Sequence, residues 1–126
     1  MTKQKFGEMV SEGIVILDGA TGTLLQQRGM PAGVCPEKWV LENPESIVDI
    51  QRQYIESGSD IIYTFTFGAN ELKLKEFGLS DAAVINRELA RLSRKASGGR
   101  ALVAGDMAPT GQLMEPFGFY TFEEIV

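Results

Sequence analysis

Three short apolar runs, each closed by a small or acidic turn, constrain the fold of this chain more than any other feature. Ile14-Val15-Ile16-Leu17 stops at Asp18-Gly19, and Ile61 to Phe67 runs into Gly68-Ala69-Asn70. Ala101-Leu102-Val103-Ala104 stops at Gly105-Asp106. Runs that are apolar at consecutive positions are buried on both faces, which predicts parallel strands covered by helices. The segments between them read as helices. Asn43 is placed as an N-cap with Pro44 at the first helical position, and Ile47, Ile50 and Tyr54 share one face up to Gly58. Asn70 opens a short helix stopped by Gly78. Ser80 caps the next, whose buried stripe is Ile85, Leu89, Leu92 and Ala96 and whose end is Gly98-Gly99. Its Arg87, Glu88, Arg91, Arg94 and Lys95 read as a solvated face. The expected class is α/β, with an N-terminal helix before the first run. Thr121 caps a last helical turn, Phe122 to Val126. A helix reading of only one turn there is the basis for expecting a truncated domain over residues 1–126.

Composition removes whole classes of chemistry. The 126 residues carry 12 Lys+Arg against 17 Asp+Glu, a net charge of −5, so nucleic acid is a poor partner. There is no histidine, which excludes imidazole acid–base catalysis and imidazole metal ligands within the chain. Cys35 is the single cysteine, so an intrachain disulfide and an all-cysteine metal site are excluded. No apolar stretch approaches the ~20 residues of a membrane span. The expectation is a cytoplasmic protein with no membrane partner.

In parallel α/β folds, ligands bind beyond the carboxyl ends of the strands. Asp18 to Thr23, Thr64 to Asn70 and Gly105 to Gly111 fall there. Asp18 and Asp106 suit an ammonium, and the amides of Gly19 to Thr23 suit a carboxylate or phosphate. Each has a plainer reading. Asp18 is also a cap for a helix starting near Ala20, Thr64 and Thr66 are ordinary strand residues on one face, and Asp106 is an anchor for the loop holding Pro109. Cys35 and Trp39 read as packing. The dinucleotide fingerprint G-x-G-x-x-G is absent.

The segments Leu17-Asp18-Gly19-Ala20-Thr21-Gly22-Thr23, Glu56 to Ala69 and Gly105-Asp106-Met107-Ala108-Pro109-Thr110-Gly111 resemble, in order and spacing, the first three strand ends of the homocysteine S-methyltransferase family. Within it, the chain looks most like the homocysteine-binding module of the cobalamin-dependent methionine synthase branch. The resemblance implies a (β/α)8 TIM barrel, of which this chain would be about the first three βα units. It implies methyl transfer to the sulfur of homocysteine, bound as a thiolate on Zn²⁺ by three cysteines. By the same resemblance, Asp18 contacts the substrate ammonium, and Gly19 and Thr64 lie where the amino-acid end is positioned. Thr66 and Asp106 are further loop contributors. No catalytic residue and no metal ligand is expected within the chain.

The family's zinc cysteines lie on later strands, and Cys35 matches none of them, so the zinc ligands are expected beyond residue 126. In the betaine-using branch an aromatic residue follows the Thr-Phe-Thr-Phe stretch and a tryptophan lies in the loop after the first strand. Here Gly68 and Val34-Cys35-Pro36 fall at those places, which favours methylcobalamin on a corrinoid-binding module or protein, recharged by methyltetrahydrofolate. Two other readings stand beside this one: a doubly wound nucleotide- or phosphate-binding module, supported by the glycine-rich turn, and a non-catalytic interaction domain pairing through open sheet edges. Those edges also lead to an expectation that the chain self-associates.

Overall fold

The computed structural model describes residues 1–125. The order is α1 (Lys3–Glu12), α2 (Gly22–Gln27), α3 (Pro36–Glu42), α4 (Pro44–Glu56), β1 (Ile61–Tyr63), α5 (Glu71–Glu76), α6 (Ala82–Ser97), β2 (Leu102–Ala104) and α7 (Phe122–Ile125). Val126, placed by the sequence reading in the last turn, lies outside the described residues.

The two strands are parallel, with Ile61, Ile62 and Tyr63 opposite Leu102, Val103 and Ala104. Helices α4 and α6 pack against each other and against the strands. The core between them contains Ile47, Val48, Ile50, Ile62 and Leu89, all fully buried. The α/β class expected from the apolar runs is therefore what the chain adopts.

The first run is not a strand. Residues 14–17 lie parallel to β1 through a single bridge, Leu17 to Ile61. The amides of Asp60 and Ile61 both donate to the Ile16 carbonyl, and the Asp18 amide donates to the Ile61 carbonyl. The Ile16 amide turns instead to the Asp60 carboxylate, at 2.9 Å. With one ladder partner, on one side, the run keeps the expected place and direction without regular pairing. Ile14 is 91% exposed.

The second run also differs. Its strand ends at Tyr63, because after the Thr64 amide reaches the Ala104 carbonyl the chain turns, with the Thr66 amide donating back to the Thr64 carbonyl. In the third run the strand, β2, starts at Leu102, not Ala101.

The helix ends hold two corrections. Asn43 precedes α4, but its side chain donates back to the Trp39 carbonyl and caps nothing. The start of α6 is capped by Asp81, whose carboxylate accepts from the Val84 amide, one residue after the expected Ser80. Asn70 does cap α5, accepting from the Lys73 amide. Gly98 ends α6 in the left-handed conformation, at φ 53°. At α7, Thr121 donates to the Glu124 carboxylate through both its amide and its hydroxyl. The charges on α6 lie on its outer side, and three of them pair: Arg91 with Glu88, and Lys95 with Glu45 of α4. Exposed pairs of this kind add little stability.

Candidate active site

A cavity of about 170 Å³ opens at the carboxyl ends of the strands. It is lined by Asp18, Gly19, Gln51, Thr64, Phe67 and Asp106, among others. Four of the five residues singled out in the sequence thus share one wall. The fifth, Thr66, is buried directly behind it.

Asp18 caps no helix. The next helix, α2, begins only at Gly22, after Thr21. The carboxylate of Asp18 instead accepts the Tyr63 amide, at 3.2 Å from each oxygen. Burial pushes its carboxyl above the ordinary value, and nearby Asp106 adds to the rise; the amides of Tyr63 and of Asp18 itself pull it back. Two carboxylates facing one small cavity repel each other and are relieved by a cation. That arrangement suits an ammonium and repels a phosphate.

Thr64, Thr66 and Asp106 form a closed ring. The Thr66 hydroxyl donates to the Asp106 carbonyl at 2.9 Å, and the Asp106 amide donates to the Thr64 hydroxyl oxygen at 3.0 Å. The two hydroxyl oxygens are 2.7 Å apart. A hydroxyl has one proton, and that of Thr66 is taken, so Thr64 is the donor between them. The ring clamps the end of β1 to the end of β2. It also leaves Thr64 only a lone pair to offer, so its hydroxyl can accept from an ammonium and cannot donate to a carboxylate.

The turn after Asp18 is shaped by Tyr54 on α4. Its hydroxyl donates to the Ala20 carbonyl at 2.8 Å. A Cβ on Gly19 would stand 2.9 Å from that hydroxyl oxygen and 3.2 Å from a ring carbon, so glycine is what lets the ring pass. Among the described residues, the amides of Gly19 and Ala20 make no backbone hydrogen bond. They are free to meet an anionic group beside the carboxylate wall.

Gln51 and Tyr54 were not picked out as site residues in the sequence. Gln51 carried a signal: it sits four residues after Ile47 on the buried stripe of α4, where an amide side chain needs partners. Glu37 was missed too. It is buried, accepts the Gly68 amide at 2.7 Å and takes the Cys35 thiol at 3.4 Å. Burial pushes the Cys35 thiol up, away from a reactive thiolate.

A second and larger cavity, about 380 Å³, shares Phe67 with the first and is lined by Cys35, Glu37, Gly68, Lys73 and Gln112 among others. The carboxylates of Asp18 and Asp106 and the Thr64 hydroxyl belong to the smaller one. Among the described residues, no group of three or more His, Cys, Asp or Glu side chains could hold a metal ion.

Residues 15–126 match the family described as Homocysteine S-methyltransferase. An S-methylmethionine–homocysteine S-methyltransferase from Pongo abelii is 32% identical over 99 residues, covering 77% of this chain and 26% of the relative. A betaine–homocysteine S-methyltransferase 1 from Sus scrofa is 35% identical over 104 residues, covering 77% of this chain and 37% of the relative. The crystal structure of the metallated homocysteine methyltransferase MmuM from Escherichia coli superposes with a TM-score of 0.72 at 26% identity, covering 82% of this chain and 41% of that one. The chain thus spans well under half the length of these proteins.

Proposed function

The chain belongs to the homocysteine S-methyltransferase family, and from that membership we propose that it supplies the amino-acid cradle of an enzyme that methylates the sulfur of homocysteine. The carrying observation is Asp18, fixed by the Tyr63 amide on the wall of a small cavity that also holds Thr64 and Asp106. In this reading the substrate ammonium meets the Asp18 carboxylate and the spare lone pair of Thr64. The substrate carboxylate meets the amides after Asp18. The two methylenes and the sulfur then lie toward Phe65 and Phe67. The chain's residues bind and orient; the sulfur attacks the methyl carbon, and the bond to the donor breaks with its electron pair leaving on the donor. The complete enzyme is read as a (β/α)8 barrel, cytoplasmic, with the present strands as its first units.

Zinc, which the family resemblance implies, does not fit the residues of this chain, with its one buried cysteine and no histidine. Its ligands would come from other sequence.

For the methyl donor we favour a corrinoid, methylcobalamin recharged by methyltetrahydrofolate on other modules. Two contacts support this. A Cβ at position 68 would stand 2.5 Å from a Glu37 carboxylate oxygen, so an aromatic ring cannot grow from there while Glu37 stays. The Phe67 ring is already met by the Lys73 ammonium, 4.9 Å from its centroid. Both leave poor aromatic caging for a quaternary ammonium. The second reading is an onium donor, favoured by the relatives named for betaine and for S-methylmethionine. Methyl transfer to homocysteine by the full-length protein, assayed with methylcobalamin, betaine and S-methylmethionine in parallel, separates them. Turnover with methylcobalamin alone supports the corrinoid reading; turnover with either onium donor overturns it. Turnover with none overturns the methyltransferase reading.

A further inference from the structure

Asp106 brings an unpaired carboxylate to the smaller cavity. Its backbone is fixed on both sides: the amide donates to the Thr64 hydroxyl at 3.0 Å, and the carbonyl accepts from the Thr66 hydroxyl at 2.9 Å. Both threonines are buried. Those bonds use main-chain atoms only, so the side chain is what Asp106 has left to offer the cavity it lines. Among the described residues, no hydrogen bond or salt bridge reaches its carboxylate. The residue is half-buried, so a ligand can reach it. Asp18 differs, because both of its oxygens already accept the Tyr63 amide.

The two carboxylates feel each other: the charge of Asp106 is among the causes that raise the Asp18 carboxyl. Two like charges on one wall are unfavourable while the cavity is empty. A positive group placed against both turns each interaction attractive. An α-ammonium carries three N–H donors, and the Asp18 carboxylate and the lone pair of Thr64 account for two. The Asp106 carboxylate is the acceptor for the third. The same charge repels the substrate's own carboxylate, and so directs that end toward the free amides of Gly19 and Ala20.

We propose that Asp106 is a specificity-determining residue, whose carboxylate binds the substrate's α-ammonium from the end of β2 while Asp18 binds it from the end of the first apolar run. The proposal rests on reading this cavity as the amino-acid site. Asp106 then selects an α-amino acid over a plain carboxylic acid in two ways. It attracts the ammonium of the first, and it repels the carboxylate of the second, which arrives with no positive charge to offset it.

Calorimetric titration of the full-length protein tests this. The ligands are L-homocysteine and 4-mercaptobutanoate, the same thiol acid without its amine. Asp106→Asn removes the charge and keeps the backbone bonds to both threonines. The expected result is a loss of about tenfold or more for homocysteine, with 4-mercaptobutanoate bound as tightly as before or more tightly. Similar losses for both ligands, or unchanged homocysteine affinity, overturn the proposal. Asp18→Asn, titrated beside it, separates the two readings. If that variant loses homocysteine and Asp106→Asn does not, the amino-acid site stands and the role of Asp106 falls. If the wild-type protein does not bind homocysteine at all, the site reading fails, and this proposal with it. If Asp106→Asn does not fold, or 4-mercaptobutanoate binds neither protein, the crystal structure of the wild-type homocysteine complex decides. A homocysteine nitrogen within about 3.2 Å of an Asp106 carboxylate oxygen supports the assignment; a longer distance overturns it.

Discussion

The Tyr63 amide donates to both carboxylate oxygens of Asp18, at 3.2 Å each, across 45 residues of sequence. This contact brings the end of the first apolar run to the end of β1 and aims a carboxylate at the cavity. It also separates function from stability at Asp18. Burial raises the folded carboxyl above its ordinary 3.8, so the folded state binds the proton more readily than the unfolded chain. The associated stability is fully present below the unfolded value and is lost as pH rises through the folded one. Asp18→Asn removes that dependence. Relative to the variant, the wild type should lose stability between acidic and neutral pH. Urea melts of both proteins at about pH 3.5 and 7 check this; a relative gain by the wild type at neutral pH contradicts it.

Gly68 and Glu37 are expected to be coupled. Gly68→Ala places a Cβ 2.5 Å from the Glu37 carboxylate oxygen, and Glu37 is held by the Gly68 amide and by Cys35. Overpacking of this kind costs about 1–3 kcal/mol. In a Glu37→Ala background the same change should cost clearly less. A double-mutant cycle by chemical denaturation reads the difference, and strict additivity contradicts the contact.

Tyr54 and Gly19 form a similar pair. Tyr54→Phe removes the bond to the Ala20 carbonyl and should cost about 1 kcal/mol. Gly19→Ala should cost more alone, because its Cβ meets the ring as well as the hydroxyl. Combined, the two should cost less than their sum, measured by denaturant melts.

These pairs mark the limit of what a sequence pattern reveals. The parallel arrangement was legible because continuous apolar runs need two covered faces. Helices α4 and α6 were legible from their stripes and their closing glycines. The cluster of Asp18, Thr64 and Asp106 was legible as residues at strand ends. The failure of residues 14–17 to form a regular strand was not, because pairing depends on neighbours and not on propensity. Gln51, Glu37 and Tyr54 escaped because their partners are backbone groups 12, 31 and 34 residues away. No spacing rule encodes such contacts.

The 126-residue chain by itself should self-associate. Ile14 and Phe119 are 91% and 96% exposed, and Leu17, Met107 and Phe117 are exposed as well. The run at 14–17 has backbone groups on its outer side available for pairing. Sedimentation at micromolar concentration should show species larger than a monomer; a compact monomer at all concentrations contradicts this.

The central claim is that the cavity at Asp18 holds the ammonium of homocysteine. Calorimetric titration of the full-length protein with L-homocysteine, wild type against Asp18→Asn, tests it most directly. Losing a charge-assisted hydrogen bond costs about 1.5–3 kcal/mol, so the variant should bind about ten- to a hundredfold more weakly, while its melting curve at neutral pH shows no loss of stability. Unchanged homocysteine affinity in a folded Asp18→Asn protein would contradict the account.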